Sequence, residues 1–324
     1  MASRRTIGVD MGGTKLLAGT VDTGLSVHHR AQRRVEGLDT SALLEIAVEA
    51  VNELRAAEGG EVAAVGFGIP CLIDRRVGGG RAVIAVNLPL TDIAFAEVMA
   101  QRLRLPVFVD NDANVTALAE HRAGAARGAG EAVILTIGTG IGGGLILRGE
   151  LYRGAMGAGA ELGHMVIDMN GPRCQGNCPN HGCVEVMASG TALAREARRI
   201  AGEQPDSALG QARRDGRELN GPLITELAHA GDPAAREAIT LIGSRIGVAI
   251  ASYVNIFNPQ VVVLGGGVIG AGELLLAPAR AEVARRALPP SRDEVQIVAA
   301  AFGPEAGMVG AAALAFDGLA ERTA

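Results

Sequence analysis

The chain has 324 residues, which is enough for two domains that each bury a core. Its net charge is −5 and it has no cluster of basic residues, which argues against a nucleic-acid partner because phosphate binding needs a patch of Lys and Arg. No segment has about 18 uninterrupted apolar residues, and the first ten residues lack the apolar stretch of a signal peptide, so we expect a cytoplasmic protein without a membrane partner.

Apolar and glycine-rich segments alternate along the first half of the chain. Residues 6–22 predict two strands joined by a tight turn, with Gly12 and Gly13 at the tip of the hairpin. Helical spacing of apolar residues follows at 40–59, where Thr40 or Ser41 is the expected N-cap. The next predicted elements are a buried strand at 62–70, a strand that runs into a helix at 106–124, and a second strand–glycine turn–strand pattern at 132–154.

In the second half of the chain, a long apolar helix is predicted at 232–259, with Asp232 as N-cap and Pro233 at the first helical position. A strand, a glycine turn and a helix are predicted at 260–288, and a further strand at 295–303. The repeated glycine hairpin indicates an α/β protein with two similar domains facing one cleft. We expect a small domain at 1–115 together with a C-terminal helix at about 305–324, and a large domain at 116–304.

Both glycine turns predict phosphate binding. Glycine lets backbone N–H groups converge on an anion, and each turn adds a hydroxyl, from Thr14 and from Thr139. Asp10 would repel a phosphate unless a cation lay between them, so we expect it to hold Mg²⁺ through water. Lys15 is the only lysine of the chain and would add a compact positive charge near the phosphates. The alternative is an ordinary solvated lysine on the hairpin.

Two glycine strings also fit the G-x-G-x-x-G pattern of dinucleotide-binding proteins, at 138–143 and at 265–270. The first is followed by a strand-like segment and so lacks the helix that this pattern requires. The second follows a strand and precedes a helix, with Glu305 just beyond the next strand, so an NAD-binding oxidoreductase is an alternative interpretation. It leaves the segments around Asp10, Asp112 and the cysteines unexplained.

Asp112 is the candidate chemical centre, because it lies where a strand gives way to a helix and the helix N-terminus favours an ionised carboxylate there. Such a carboxylate could take the proton of an alcohol that attacks phosphorus. Asn111 beside it could orient hydroxyl groups. The alternative is that Asp110 or Asp112 only caps the helix.

Three of the four cysteines lie within ten residues, at Cys174, Cys178 and Cys183. In a chain too large to need disulfide bonds, and in a reducing compartment, this cluster favours a metal site.

Eight motifs occur in an order that covers nearly the whole chain: GVDMGGTK, GFGIP with NLPL, VDNDAN, TIGTGIGGG, GAELGHM, CPNHGCVE, VVVLGGGV and AGMVGAAALA. In these motifs the sequence resembles the ROK family of repressors and sugar kinases and, within it, the bacterial glucokinases. The resemblance implies a two-lobed, actin-like fold of the RNase H type, with ATP and Mg²⁺ in the interdomain cleft and a sugar near the hinge.

The resemblance also implies a role for each matching position. It makes Asp112 the general base that takes the proton of the sugar's 6-hydroxyl group. The implied sugar contacts are Asn87, Asn111, Glu161, His164 and Glu185. The implied contacts to ATP and its phosphates are Asp10, Gly12, Gly13, Thr14, Lys15, Gly138, Thr139, Gly140, Gly265, Gly266 and Gly267.

A structural zinc ion is a further implication of the resemblance, within the loop 164–183. The implied ligands are His164, Cys174, Cys178 and Cys183. The family spacing is C-x-C-x4-C, whereas this chain has C-x3-C-x4-C, a spacing that still suits zinc. His181 in the same loop is an alternative fourth ligand.

The implied reaction is ATP-dependent phosphorylation of a hexose, with glucose preferred over an N-acetylhexosamine or fructose. A sugar-sensing regulator is less favoured, because the first phosphate strand starts by residue 6 and leaves, we expect, no room for the DNA-binding segment of the family's repressors. Cys71 replaces a glycine that is usual after GIP, and NLPL lacks the tryptophan that is usual after NLP, so the exact hexose stays open. Family habit predicts a homodimer or a dimer of dimers.

Overall fold

The structure is a computed structural model that describes residues 4–59, 61–76, 80–85 and 88–322. The strands in chain order are β1 (Arg5–Met11), β2 (Lys15–Asp22), β3 (Val27–Arg34), β4 (Val62–Ile69), β5 (Cys71–Asp74), β6 (Arg81–Ala85), β7 (Thr91–Ile93), β8 (Val107–Asn111), β9 (Ala132–Ile137), β10 (Ile141–Leu147), β11 (Glu150–Leu151), β12 (Val261–Gly265) and β13 (Gln296–Ala299). The α-helices are α1 (Thr40–Glu58), α2 (Phe95–Leu103), α3 (Asp112–Ala123), α4 (Val184–Ala188), α5 (Gly190–Glu203), α6 (Ala208–Arg214), α7 (Gly221–His229), α8 (Pro233–Phe257), α9 (Glu273–Arg286), α10 (Ser291–Glu294) and α11 (Ala306–Glu321). Short 3₁₀ turns lie at Leu162–His164, Gly267–Ala271 and Gly303–Glu305.

The chain divides into two compact units. The first unit comprises Met1–Gly128, Gly144–Ala160 and Ala301–Ala324, and the second comprises Ala129–Gly143 and Glu161–Ala300. The division expected from the sequence began the large domain at residue 116, whereas here the whole of α3 and the segment Gly144–Ala160, which starts within β10, group with the first unit. The reason is close packing, because a β-carbon on Gly310 of α11 would overlap the carbonyl oxygen of Val115 in α3.

The first sheet has the strand order β3-β2-β1-β4-β8. Strands β1 and β2 pair antiparallel, which confirms the predicted hairpin, and β1, β4 and β8 run parallel. In register, Gly68 of β4 lies between Asp10 of β1 and Asp110 of β8. The polar residues at the carboxyl ends of β1 and β8 therefore lie at one edge of this sheet.

Helix α11 packs directly on the backbone of the first sheet. A β-carbon on Gly66 of β4 would overlap the carbonyl oxygen of Ala311, so only glycine allows this approach. The buried hydroxyl of Thr6 in β1 donates a hydrogen bond to the carbonyl oxygen of Ala312 at 3.1 Å. The alanine- and glycine-rich sequence of α11 thus reflects its contact with the sheet, and this helix belongs to the first unit.

The second sheet has the strand order β11-β10-β9-β12-β13, in which β9, β12 and β13 run parallel. The glycine turn between β9 and β10 lies where the sequence predicts it. A third, antiparallel sheet contains β5, β6 and β7.

Helix α8 is the central helix of the second unit. Asp232 caps it, with its side chain accepting a hydrogen bond from the Ala235 N–H, and Pro233 begins it, as predicted. By length and hydropathy alone, α8 could cross a membrane. Most of its apolar residues are instead buried within the unit.

The start of α1 differs by one residue from the sequence-based expectation. Asp39, and not Thr40 or Ser41, is the N-cap, and its carboxylate accepts a hydrogen bond from the Ala42 N–H at 2.8 Å. Aspartate, serine and threonine are all good capping residues, so composition alone could not choose among three neighbours.

Candidate functional site

Asp10 is the next-to-last residue of β1 and lies beside the start of α11. A β-carbon on Gly307, in the first turn of α11, would lie 2.6 Å from the Asp10 Cγ atom, so the carboxylate lies against this helix terminus. Burial and, to a smaller extent, the nearby Asp112 carboxylate raise the pKa of Asp10 to about 7, and Lys15 opposes both effects. Two carboxylates at one strand edge therefore repel each other.

Asp112 is the first residue of α3 and is partly buried. Its Oδ1 atom accepts a hydrogen bond from the Ala113 N–H at 2.9 Å. Burial raises the pKa of Asp112, and the hydrogen bond from Ala113 opposes this shift. A carboxylate with a raised pKa is a stronger proton acceptor than an exposed one, which suits a general base.

Asn111 is the N-cap of α3, which corrects the alternative that Asp110 or Asp112 has that role. Its Oδ1 atom accepts hydrogen bonds from the Ala113 N–H at 2.9 Å and the Asn114 N–H at 3.4 Å. Its Nδ2 atom donates to the carbonyl oxygen of Cys71 at 3.4 Å. Because Asn111 caps α3, the carboxylate of Asp112 is not needed for that role.

Asp110 is fully buried, and sequence reasoning gave it no role beyond a possible cap. Its Oδ2 atom accepts hydrogen bonds from Arg153 Nε at 2.5 Å and from Arg75 at 3.4 Å. Its Oδ1 atom accepts from the Asn111 N–H and from Asn114 Nδ2, both at 2.9 Å. Asp110 therefore fixes the strand-to-helix connection that carries Asp112. The acidic pair in VDND was the only sequence signal, and Arg153 had none.

The first glycine turn, with Gly12, Gly13 and Thr14, joins β1 to β2. The Gly12 N–H donates to the carbonyl oxygen of Lys15 at 2.9 Å, and the Val35 N–H donates to the carbonyl oxygen of Thr14 at 3.0 Å. The side chains of Thr14 and Lys15 are exposed at this turn. Asn87, which the resemblance implies as a sugar contact, lies outside the described residues.

The second glycine turn, at Gly138, Thr139 and Gly140, is held by the start of α5. The Gly190 N–H donates to the carbonyl oxygen of Gly138, and the Thr191 hydroxyl donates to that of Thr139, both at 2.8 Å. These two hydrogen bonds hold the backbone of the turn in place. The side chain of Thr139 is exposed.

Glu185 of α4 also contacts this turn. Its Oε2 atom accepts a hydrogen bond from the Ile141 N–H at 2.9 Å. A β-carbon on Gly140 would overlap the same oxygen, so glycine is required for this approach. One carboxylate oxygen of Glu185, an implied sugar contact, is therefore hydrogen-bonded at the second glycine turn.

Glu161 and His164 flank a 3₁₀ turn that α8 holds in place. The buried Tyr253 hydroxyl donates to the carbonyl oxygen of Leu162 at 2.6 Å, and burial raises the pKa of this tyrosine. Glu161 Oε2 lies 4.0 Å from His164 Nε2. The two implied sugar contacts are therefore neighbours in space as well as in sequence.

The predicted metal ligands lie together. The ligand atoms of His164, Cys174, Cys178 and Cys183 are all within 4.8 Å of one another. His164 Nδ1 lies 3.6 Å from Cys174 Sγ, and the Sγ atoms of Cys178 and Cys183 are 3.8 Å apart. His181 does not join this group, because it is exposed and its Nδ1 atom lies 3.3 Å from the carbonyl oxygen of Gly171. Burial and the neighbouring thiols raise the pKa of Cys174 to about 12, so metal binding must displace its proton.

Cys71 is buried in β5 of the first unit. It takes no part in the cluster of metal ligands.

Gly265, Gly266 and Gly267 follow β12, but the element after them contradicts the NAD-binding interpretation. A 3₁₀ turn at Gly267–Ala271 takes the place of the helix that the dinucleotide pattern requires directly after the glycines. Glu305, the expected acidic partner, belongs to the first unit and pairs with Arg30 at 2.5 Å.

Comparisons with known proteins agree on one family. The sequence profile described as the ROK family matches residues 6–317. The chain is 36% identical to a glucokinase of Thermotoga maritima, over 97% of this chain and 98% of that protein, and 35% identical to a glucokinase of Streptomyces coelicolor, over 96% and 97%. It is similar to the crystal structure of a ROK family glucokinase from Streptomyces griseus in complex with glucose and AMPPNP. The TM-score is 0.86 and the identity 35%, over 97% of this chain and 99% of that one.

This similarity confirms the α/β, actin-like fold class that the sequence motifs implied. The chain belongs to the ROK family.

Proposed function

We propose that the protein is a glucokinase that transfers the γ-phosphoryl group of ATP to the 6-hydroxyl group of glucose. The observation that carries the proposal is Asp112, a carboxylate with a raised pKa at the start of α3 that Asn111 frees from capping. Support comes from full-length similarity to glucokinases, including one with bound glucose and AMPPNP.

Asp112 acts on the attacking alcohol. Its carboxylate accepts the proton of the glucose 6-hydroxyl group while that oxygen forms a bond to the γ-phosphorus atom. The bond between this phosphorus and the β–γ bridging oxygen breaks, and ADP leaves with that electron pair. The products are glucose 6-phosphate, ADP and one proton, which Asp112 then releases.

Three glycine-rich segments are the proposed contacts to ATP. In the first glycine turn, Gly12, Gly13 and Thr14 offer backbone and hydroxyl donors, and Lys15 offers a positive charge. The second phosphate turn is Gly138, Thr139 and Gly140. Gly265, Gly266 and Gly267 border the adenosine.

Asp10 suits Mg²⁺, because its donor atoms are carboxylate oxygens and because its repulsion by Asp112 favours a cation nearby. Asp10 would hold the ion through water. When bound, Mg²⁺ offsets the negative charge of the ATP phosphates.

The sugar contacts proposed are Asn87, Asn111, Glu161, His164 and Glu185. Carboxylates and amides suit sugar hydroxyls, which both donate and accept hydrogen bonds. Discrimination follows because a sugar that leaves one of these polar groups unpaired binds less well.

The cluster of His164, Cys174, Cys178 and Cys183 suits a structural Zn²⁺ ion. Tetrahedral zinc with bonds of about 2.3 Å to sulfur places two sulfur atoms about 3.8 Å apart, which matches the distance between Cys178 and Cys183. Four protein ligands close the site, so this ion has a structural and not a catalytic role.

Metal content tests the zinc assignment. We expect one zinc per chain in the purified protein and in Cys71→Ala, the matched control, and a loss of zinc in Cys178→Ala. Mass spectrometry under native conditions or atomic emission would show this. A zinc-free wild-type protein, or zinc retained at one per chain in Cys178→Ala, would contradict the assignment.

A coupled assay of ADP release tests the proposed function. We expect ADP release with glucose to exceed that with mannose, fructose, N-acetylglucosamine and N-acetylmannosamine. A clear preference for an N-acetylhexosamine or for fructose would replace glucose by that sugar, and no release with any sugar would refute the kinase. The proposed compartment is the cytoplasm. The proposed assembly is a homodimer or a dimer of dimers, and light scattering of the purified protein would test this assembly.

A further inference from the structure

We propose that the metal cluster positions the second phosphate turn, and that Glu185 is the positioning residue between them. Metal occupancy would then control the affinity for the nucleotide even when no sugar is present. The inference rests on the proposed function, since it needs Gly138–Thr139–Gly140 to bind phosphate.

The first step runs from the cluster to α4. Cys183 is both a member of the cluster and the N-cap residue of α4, and it is fully buried. The next residue, Val184, donates its N–H to the carbonyl oxygen of Met165, which follows the ligand His164, at 2.9 Å. A metal bound to His164 and Cys183 would therefore fix where this five-residue helix begins.

The second step runs from α4 to the turn. Three hydrogen bonds connect the short stretch Glu185–Thr191 to Gly138, Thr139 and Ile141. Glu185 Oε2 accepts from the Ile141 N–H at 2.9 Å, and the Gly190 N–H and the Thr191 hydroxyl donate to the carbonyl oxygens of Gly138 and Thr139 at 2.8 Å. The backbone of the turn is thus held by hydrogen bonds from residues that follow the metal ligand Cys183 in the chain.

Two further contacts tighten the connection. Glu185 Oε1 lies 4.0 Å from Cys174 Sγ, so this one side chain spans the distance from the cluster to the turn. A β-carbon on Gly163, beside His164, would overlap the carbonyl oxygen of Ile141. Ile141 is therefore contacted by Gly163, which precedes the ligand His164, and by Glu185, which lies two residues after the ligand Cys183.

The consequence follows from preorganisation. When the metal fixes its ligands, α4 and Glu185 hold the amide groups of the turn in place before ATP arrives. Without the metal, the turn must become ordered when the nucleotide binds. The free-energy cost of this ordering weakens the binding of the nucleotide. Loss of the metal should weaken nucleotide binding and not sugar binding alone.

Calorimetry of the full chain with AMPPNP and Mg²⁺, with no sugar present, tests the inference. We expect the Kd of the zinc-stripped protein to be at least about tenfold higher than that of the zinc-loaded protein. Equal Kd values would overturn the inference and leave the proposed function standing. No binding of AMPPNP by the loaded protein would overturn both.

A variant covers the case in which the stripped protein unfolds. Thr191→Val removes the hydroxyl that holds Thr139 and leaves every metal ligand in place. We expect unchanged zinc content, unchanged glucose affinity and a several-fold higher Kd for AMPPNP, whereas Thr225→Val on α7 serves as the control and binds like wild type. Wild-type AMPPNP affinity in Thr191→Val would overturn the inference.

Discussion

At the scale of single residues, Asp112 and Asp10 form an acidic pair whose pKa values are raised. A raised pKa means that Asp112 keeps its proton to a higher pH than an exposed aspartate, whose pKa is about 4. A general base must be ionised, so activity is lost as the pH falls through the raised pKa and is present above it. We predict that the acidic limb of kcat/KM for glucose has its midpoint above pH ~4.

Initial rates between pH 4 and 8 would show this limb, with circular dichroism at each pH as the control for unfolding. The observed midpoint belongs to the coupled pair and not to one carboxylate. A limb centred at or below pH ~4 in folded protein would mean that burial does not tune the base.

The single lysine gives a second prediction at this scale. Lys15→Arg replaces a compact ammonium group by a planar guanidinium, which presents its charge differently to phosphate oxygens. We predict that the KM for ATP rises several-fold and that the KM for glucose is unchanged. Arg34→Lys is the matched control, because Arg34 lies opposite Lys15 on β3.

Steady-state kinetics with each substrate varied in turn would measure both constants. Should Lys15→Arg keep the wild-type KM for ATP, Lys15 would be the ordinary solvated hairpin lysine that the sequence also allowed.

At the scale of elements, Asp110 ties β8 and α3 to two arginines. Removing one partner of a buried ion pair leaves an uncompensated charge, and this is strongly destabilising. We predict that Asp110→Asn lowers the free energy of unfolding by about 3–5 kcal/mol, because Arg153 and Arg75 lose their carboxylate. The midpoint of urea unfolding, followed by circular dichroism, would measure the loss.

Asp92→Asn is the matched control for that prediction. Its carboxylate pairs with Arg81 but is 69% exposed, so the same substitution should change the free energy of unfolding much less than Asp110→Asn does. If the free energy of unfolding fell by similar amounts in Asp110→Asn and Asp92→Asn, the prediction that burial makes the Asp110 ion pairs more important for stability would be wrong.

The elements most open to sequence reasoning are those with local signals. Alternating apolar residues around glycines predicted the hairpin of β1 and β2 and the turn between β9 and β10, and Asp232 with Pro233 marked the start of α8. The spacing of three cysteines predicted the cluster that the structure brings together. Each of these signals depends on residues close in sequence.

At the scale of the whole molecule, the contacts that escaped sequence reasoning join distant segments. Arg153 and Asp110 are 43 positions apart, and Glu120 is 181 positions from Ala301. The buried Glu120 carboxylate accepts hydrogen bonds from the N–H groups of Ala125, Ala301 and Phe302 at 2.8–3.1 Å. It thereby fastens α3 to the stretch that leads into α11, and no pattern within either segment could reveal that pairing.

The most direct measurement of the central claim is glucose-dependent ADP release by Asp112→Asn beside the wild type, with glucose affinity measured by calorimetry. Asp39→Asn is the matched control, because asparagine caps a helix as well as aspartate does. We predict that Asp112→Asn is folded and binds glucose like wild type but turns over about 10²–10⁴-fold more slowly. Near-wild-type turnover in Asp112→Asn, or a wild type that releases no ADP with glucose, would contradict the account.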